Sequence, residues 1–155
     1  MSEADDRLHP LANGALHHCF GCGQQNRTGL RLRFFTNAAG EVVCRVKLAE
    51  RFQGPPGHAH GGIIATLLDE AMSKANRARE VVAMTRSLEV EYLRPVPVGI
   101  RLELKSRHVR AEGRKHFCEA ELSNDAGEVL ARGRALFIAI DPGKFDARRP
   151  TPQKV

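Results

Sequence analysis

A chain of 155 residues, 42% hydrophobic and 27% charged, is one domain of ordinary size with enough apolar material for a single core. It has no apolar run of about 18 residues, so no transmembrane helix is expected, and the acidic start MSEADDRLHP lacks the apolar stretch of a secretory signal, so the expected compartment is the cytoplasm. The net charge of +6 suits an anionic partner; with no Trp and one Tyr, stacking platforms for nucleic acid are scarce, which favours a small phosphorylated molecule.

In chain order, residues 1–16 read as a loosely held arm, 17–141 as the folded domain and 142–155 as a polar, Pro-containing tail, disordered at its end. HHCFGCGQQNRTGL is Gly-rich and polar, a loop. LRLRFF and EVVCRVKL alternate at period two and predict two strands joined by the hairpin turn TNAAGE. Pro55, Pro56 and Gly57 break both periods before a helix that runs from Gly61 or Gly62 to about Ala78. Four further strands follow in AMTRSLEVEYL, IRLELKSRHVR, KHFCEAELSN and EVLARGRALFIAI. Two strands, one long helix and four strands define the α+β class, and a curved antiparallel sheet wrapped around the helix is the simplest way to bury it.

On that helix Ile63, Ile64, Leu67, Leu68, Ala71, Met72 and Ala75 fill half of the circle, as core packing requires. Asp69 and Glu70 fall at opposite edges of this arc. Lys74, four residues beyond Glu70, accounts for Glu70 as a surface or edge ion pair. Asp69 has no such partner, and Asp is a poor mid-helix residue. From the residues alone it reads equally well as a hydrogen-bonded structural acid or as a site residue. Gly61 and Gly62 read either as a flexible helix entry or as a turn whose free N–H groups polarise a carbonyl. His60 is more simply structural, and His58 more so. Arg94, Arg107, Arg110, Arg114 and Lys115 sit near strand ends, where Arg114 and Lys115 in the turn EGRKH suit phosphate groups or form a solvated hairpin tip. The four cysteines show no zinc-ligand or thioredoxin-like spacing beyond the lone CFGC, which is read as a structural turn, and no metal site is expected.

HGGIIATLLDEAM together with TRSLEVEYLRPVPVG resembles the hotdog-fold acyl-CoA thioesterases of the PaaI-like and THEM-like group, and CFGCGQQNRTGLRLRF is similar to the N-terminal strand entry of many of them. The resemblance spans about Cys19 to Ile140. It implies an antiparallel sheet around a central helix and dimers joined sheet edge to sheet edge, with homotetramers expected beyond them. It implies that Asp69 activates water or attacks the thioester, that Gly61 and Gly62, with His60, lie at the carbonyl, and that the hydroxyl of Thr85 helps hold the water. Gly54 stands where several relatives carry a carbonyl-binding Asn, and the neighbouring Gln53 is the substitute. Gln53, Arg94, Arg114 and Lys115 are then the candidate CoA-binding residues. The expected activity is acyl-CoA hydrolysis without metal or redox cofactor, without nucleic acid and without membrane insertion. The alternatives are a hydroxyacyl-thioester dehydratase, although no His stands at the expected distance before Glu70, and a non-catalytic acyl-CoA-binding module.

Overall fold

The alternating segments downstream of the helix all become strands, because a period-two sequence can bury one face only as a sheet. In the computed structural model, which describes residues 7–14 and 16–146, the elements are β1 (His9–Pro10), β2 (Phe35–Thr36), β3 (Val42–Lys47), a 3-10 turn (Glu50–Phe52), α1 (Gly61–Arg77), β4 (Ala83–Tyr92), β5 (Arg101–Glu112), β6 (Lys115–Asn124), β7 (Val129–Ala139) and a short α2 (Pro142–Asp146). The strands form one sheet in the order β1-β2-β3-β5-β6-β7-β4, antiparallel throughout. Helix α1 packs across β3 to β7, and this is the hotdog arrangement that the sequence resembles.

The apolar stripe of α1 meets the inward residues of the sheet. Leu67, Leu68 and Met72 are fully buried with Leu104, Leu122 and Phe137. The sheet comes closest at Gly133, where an added Cβ would lie 3.1 Å from Met72 Cε and 3.2 Å from Leu68 Cβ, so a larger residue there would push the helix away. The hydroxyl of Ser106, itself buried, donates to the Ala71 carbonyl and fixes the helix along its axis.

Two N-terminal expectations need correction. LRLRFF buries alternate residues, Leu32 and Phe34, as its pattern requires. Only Phe35 joins a strand, because the preceding backbone bonds elsewhere. Leu30 N–H donates to Phe20 C=O, Leu32 N–H to Gly21 C=O, and Phe34 C=O accepts from Leu11 N–H. Arg31, at φ 49°, also breaks the extended run. Residues 9 and 10 of the expected loose arm pair with β2 as strand β1. In the expected tail, residues 142–146 form α2, and residues 1–6, 15 and 147–155 lie outside the described residues.

Strand β4 matters most for the site. It pairs with β7 on one side, and among the described residues its other edge has no partner. A register shift between Thr85 and Ser87 marks a bulge, and Thr85 is set opposite Phe137 on the helix side of the sheet.

Candidate active site

The loop between the 3-10 turn and α1 is held at several points before the helix starts. Gln53 bridges Ala59, His58 bridges Pro97, Ala59 N–H donates to Val96 C=O and His60 N–H to Phe52 C=O. His60 is then the N-cap of α1: its extended backbone turns the chain, and its Nδ1 accepts the Gly62 N–H at 2.9 Å. Accepting at Nδ1 leaves the ring proton of the neutral imidazole on Nε2. A side chain at residue 54 would put its Cβ 3.0 Å from His60 Cα, which gives Gly54 a structural reason to depart from Asn.

The two glycines therefore differ. The Gly62 N–H is taken by the cap, while the Gly61 N–H has no partner among the described residues and stays open at the positive end of the helix. The Gly61 carbonyl accepts from the Tyr92 hydroxyl at 2.9 Å. Sequence reasoning did not single out Tyr92. The signal for it was faint: the only Tyr of the chain, at the end of β4 and in phase with its inward residues.

Two turns along α1, Asp69 Oδ1 accepts from Thr85 Oγ1 at 2.7 Å, so the structure brings these two candidates together. Burial pushes the Asp69 carboxyl above the ordinary aspartate range, and the Thr85 hydrogen bond partly offsets that by favouring the charged form. No cation is paired with Asp69 among the described residues. At about 1.5 Å of rise per residue, the eight residues from Gly61 to Asp69 correspond to about 12 Å along the axis. One thioester carbonyl cannot lie within hydrogen-bond reach of both groups of a single chain.

Glu70 departs from its expected setting. Its pairing with Lys74 is present at 3.8 Å, but the two side chains are only 15% and 3% exposed, so this is a buried pair. The CFGC loop covers it: a Cβ on Gly21 would lie 2.6 Å from Glu70 Oε2, and Cys19 Sγ contacts Glu70 Oε1 at 3.9 Å. Lys74 Nζ also donates to Asn13 Oδ1 at 2.7 Å. Cys22 is pushed up to about 12, first by burial and then by its hydrogen bond to Glu70 and the charge of that residue, with Lys74 opposing. The ligand atoms of Cys19, Cys22 and Glu70 lie within 4.8 Å of one another, a donor set that on chemistry alone suits a thiophilic cation. The Lys74 ammonium already sits against it and supplies the positive charge, so the cluster fits a structural pair better than a metal. His58 turns its Nδ1 to the Pro56 carbonyl and joins no ligand set.

The remaining candidates surround the site without meeting at one point. Gln53 Oε1 accepts from the Gly57 N–H at 3.0 Å, closing its own loop, and leaves only its amide N–H groups for a ligand. Arg94 follows the Tyr92 end of β4 and pairs loosely with Glu128 at 3.6 Å. Arg114 donates to the Ala139 carbonyl at 3.0 Å, and exposed Lys115 pairs in register with Ile138, near the β4 end that carries Thr85. A groove of about 500 Å³, lined in part by Ser87, Arg110, Phe117 and Leu136, lies on the sheet face opposite Asp69. Asp69 and Thr85 make the better candidate site because they bring a partly dehydrated carboxylate and a donor together.

A long helix inside a curved antiparallel sheet, with a carboxylate facing the sheet and an open amide at the helix start, is the architecture of a hotdog protein. The model of the Thioesterase superfamily matches residues 56–131. A crystallised thioesterase superfamily protein aligns with a TM-score of 0.76 at 30% identity, over 88% of this chain and 68% of that one. Acyl-coenzyme A thioesterase THEM4 of Mus musculus is 37% identical over 72% of this chain and 48% of its own length, so the chain spans about half of that relative. Acyl-coenzyme A thioesterase 13 of Homo sapiens is 29% identical over 67% of this chain and 76% of its own. The chain belongs to the thioesterase superfamily.

Proposed function

We propose that this protein hydrolyses acyl-CoA thioesters in clefts shared by two subunits, with Asp69 from one chain and the Gly61 N–H from the other. One observation carries the reading: a partly buried carboxylate held by a hydroxyl stands about 12 Å along the helix from the open amide, so that only a second chain can bring both to one carbonyl. Strand β4 offers the means. Its free edge is ten residues long, and Met84, Tyr92 and Leu93 on or beside it are exposed. Unpaired edges of this length are normally covered. Antiparallel pairing of two β4 strands about Leu88 and Glu89 sets the Tyr92 end of one beside the Thr85 end of the other. Such a homodimer can assemble further into a tetramer.

In the cleft, the Asp69 carboxylate takes a proton from a water that attacks the thioester carbon, or attacks that carbon itself. Thr85 donates to Oδ1 and keeps Oδ2 aimed at the water. The negative charge that develops on the carbonyl oxygen is met by the Gly61 N–H and the helix start, with the His60 Nε2–H beside them. The carbon–sulfur bond then breaks and the CoA sulfur leaves with the electron pair. In the water route it takes up the proton held by Asp69. In direct attack it leaves as thiolate with the acyl group on Asp69, after which water hydrolyses that anhydride, restoring the carboxylate, releasing the acid and supplying the thiol proton. Arg114 and Lys115 near the Thr85 end, and Arg94 with the Gln53 amide near the helix start, are the donors for the CoA phosphates and pantetheine. No metal or redox cofactor enters these steps. Among the described residues no helix is long and apolar enough to cross a membrane, which suits catalysis in the cytoplasm on a water-borne thioester.

The names of the relatives support acyl-CoA as the substrate. The test is free-thiol release from short, long and aryl acyl-CoAs by wild type and Asp69→Asn, with the oligomeric state measured by sedimentation. Hydrolysis lost in Asp69→Asn and a dimer or larger assembly are expected. A stable monomer at micromolar concentration, or equal turnover by the two proteins, would overturn the reading. Binding without hydrolysis would identify a carrier of acyl-CoA instead.

A further inference from the structure

Resting on that reading, we propose that Tyr92 is a positioning residue of the thioester site: its hydroxyl, together with His60, pins the Gly61–Gly62 peptide and thereby aims the neighbouring Gly61 N–H at the substrate carbonyl. The peptide between Gly61 and Gly62 is bonded at both ends. Its C=O accepts from the Tyr92 hydroxyl at 2.9 Å, and its N–H donates to His60 Nδ1 at 2.9 Å. The Gly61 N–H belongs to the preceding His60–Gly61 peptide, whose C=O accepts from the Ile63 and Ile64 N–H groups at 2.9 and 3.1 Å. Because each peptide is planar, holding the Gly61–Gly62 plane as well restrains the Gly61 dihedrals between the two and steadies the direction of the Gly61 N–H. Glycine tolerates more backbone conformations than any other residue, and two in succession at a helix start need such a restraint.

The placement of Tyr92 is poorly explained by packing. Within its own chain it is 55% exposed, so its ring is no anchor of that chain's core, and edge pairing of β4 would cover the ring without requiring a hydroxyl. The ring lies along Gly61, 3.6–3.7 Å from where a Cβ would stand, close enough to aim the hydroxyl at the carbonyl and loose enough to leave the amide side open. Thr85 and Tyr92 also belong to one strand, so β4 supports the base at one end and the helix start at the other. A shift of β4 would disturb both halves of the chemistry.

The test uses Tyr92→Phe, which keeps the ring and removes only the hydroxyl, in the full-length protein. With an acyl-CoA that wild type hydrolyses, kcat should fall about 10- to 100-fold, the scale of a misaligned reacting group, while KM stays within about twofold. In the Asp69→Asn background, the ¹³C=O stretch of a bound, carbonyl-labelled acyl-CoA should move back towards its free value when Tyr92→Phe is added. By NMR, the Gly62 amide should exchange about 2- to 13-fold faster in Tyr92→Phe, the equilibrium factor of one net hydrogen bond, while the Leu68 amide keeps its rate. An unchanged kcat together with an unchanged Gly62 exchange rate would overturn the proposal, as would a loss confined to KM. If wild type hydrolyses no acyl-CoA, the activity reading fails by itself, and the Gly62 exchange still decides whether Tyr92 pins the peptide.

Discussion

Glu70→Gln removes one charge from a buried pair and leaves the Lys74 ammonium, 3% exposed, without its anion. Breaking a buried pair from one side costs about 3–5 kcal/mol. Here the lower end applies, because Asn13 Oδ1 still accepts from Lys74 at 2.7 Å and a glutamine oxygen can keep part of the Glu70 contact. About 3 kcal/mol in a chain of this length corresponds to a Tm about 6–12 °C lower. Differential scanning calorimetry reads it directly, and Glu70→Gln combined with Lys74→Met supplies the control. With both charges gone, no buried ion is stranded, and most of the lost Tm should return. The Cys22 thiol should also become more reactive in Glu70→Gln, since the hydrogen bond and the negative charge of Glu70 are among the causes that raise it. A single-variant Tm within about 2 °C of wild type would refute the reasoning and return Glu70–Lys74 to the rank of an exposed helix pair, worth about 0.3–0.5 kcal/mol.

Three further outcomes follow from the same geometry. Asp69→Asn should lower kcat by about 10²–10⁴. It should also raise Tm at neutral pH: the raised native pKa means that ionising Asp69 costs stability, a cost absent below the unfolded value near 3.8 and complete once pH exceeds the native value, so melts of the two proteins should converge in acid. Wild-type kcat/KM should rise with pH along a limb above the ordinary aspartate range, and Thr85→Val should move that limb to higher pH by removing the bond that favours the carboxylate; a limb left in place in a pH–rate profile would count against Thr85. Of the four cysteines, Cys19 should react with a thiol reagent in the folded protein, while Cys22, Cys44 and Cys118, buried and each pushed up to about 12, should wait for unfolding; mass spectrometry of the labelled chain checks the order.

What was legible in the sequence was what depends on period. α1 and β4 to β7 were read close to their observed bounds because each buries a face whose pattern repeats along the chain. EVVCRVKL was likewise read as the strand that forms β3, but the segment before it was not legible, for a physical reason. Leu32 and Phe34 do alternate, but their backbone is satisfied by residues 11, 20 and 21, and no local pattern announces a partner in a loop. The same holds at the site. The Asp69–Thr85 bond joins residues 16 apart; the resemblance named both residues but gave the Thr85 hydroxyl to the water, and their direct bond was not foreseen. The burial of Glu70 depends on a loop 51 residues upstream. Tyr92 meets a backbone carbonyl 31 residues away, which leaves no complementary residue type to find.

The two adjacent acids show why position on the helix decides chemistry. Consecutive residues point about 100° apart, so Asp69 turns towards β4 while Glu70 turns under the CFGC loop. Glu70 meets a cation there, and its charge is matched by Lys74 at 3.8 Å. A carboxylate so engaged is held for structure, covered by Gly21 and closed to a ligand. Asp69 meets one neutral donor, Thr85, and no cation among the described residues, so dehydration is offset only in part and the carboxyl stays raised. A proton acceptor for water suits this second setting, aimed by a single hydrogen bond and, among the described residues, with its second oxygen unpartnered. Exchanging the two residues would place the shorter acid under the loop, out of reach of Lys74, and the longer one against Thr85 with an extra methylene to misplace it. The order Asp-then-Glu therefore follows from what covers each side of α1, and the double exchange Asp69→Glu with Glu70→Asp should lose both stability and turnover, although composition and net charge are unchanged.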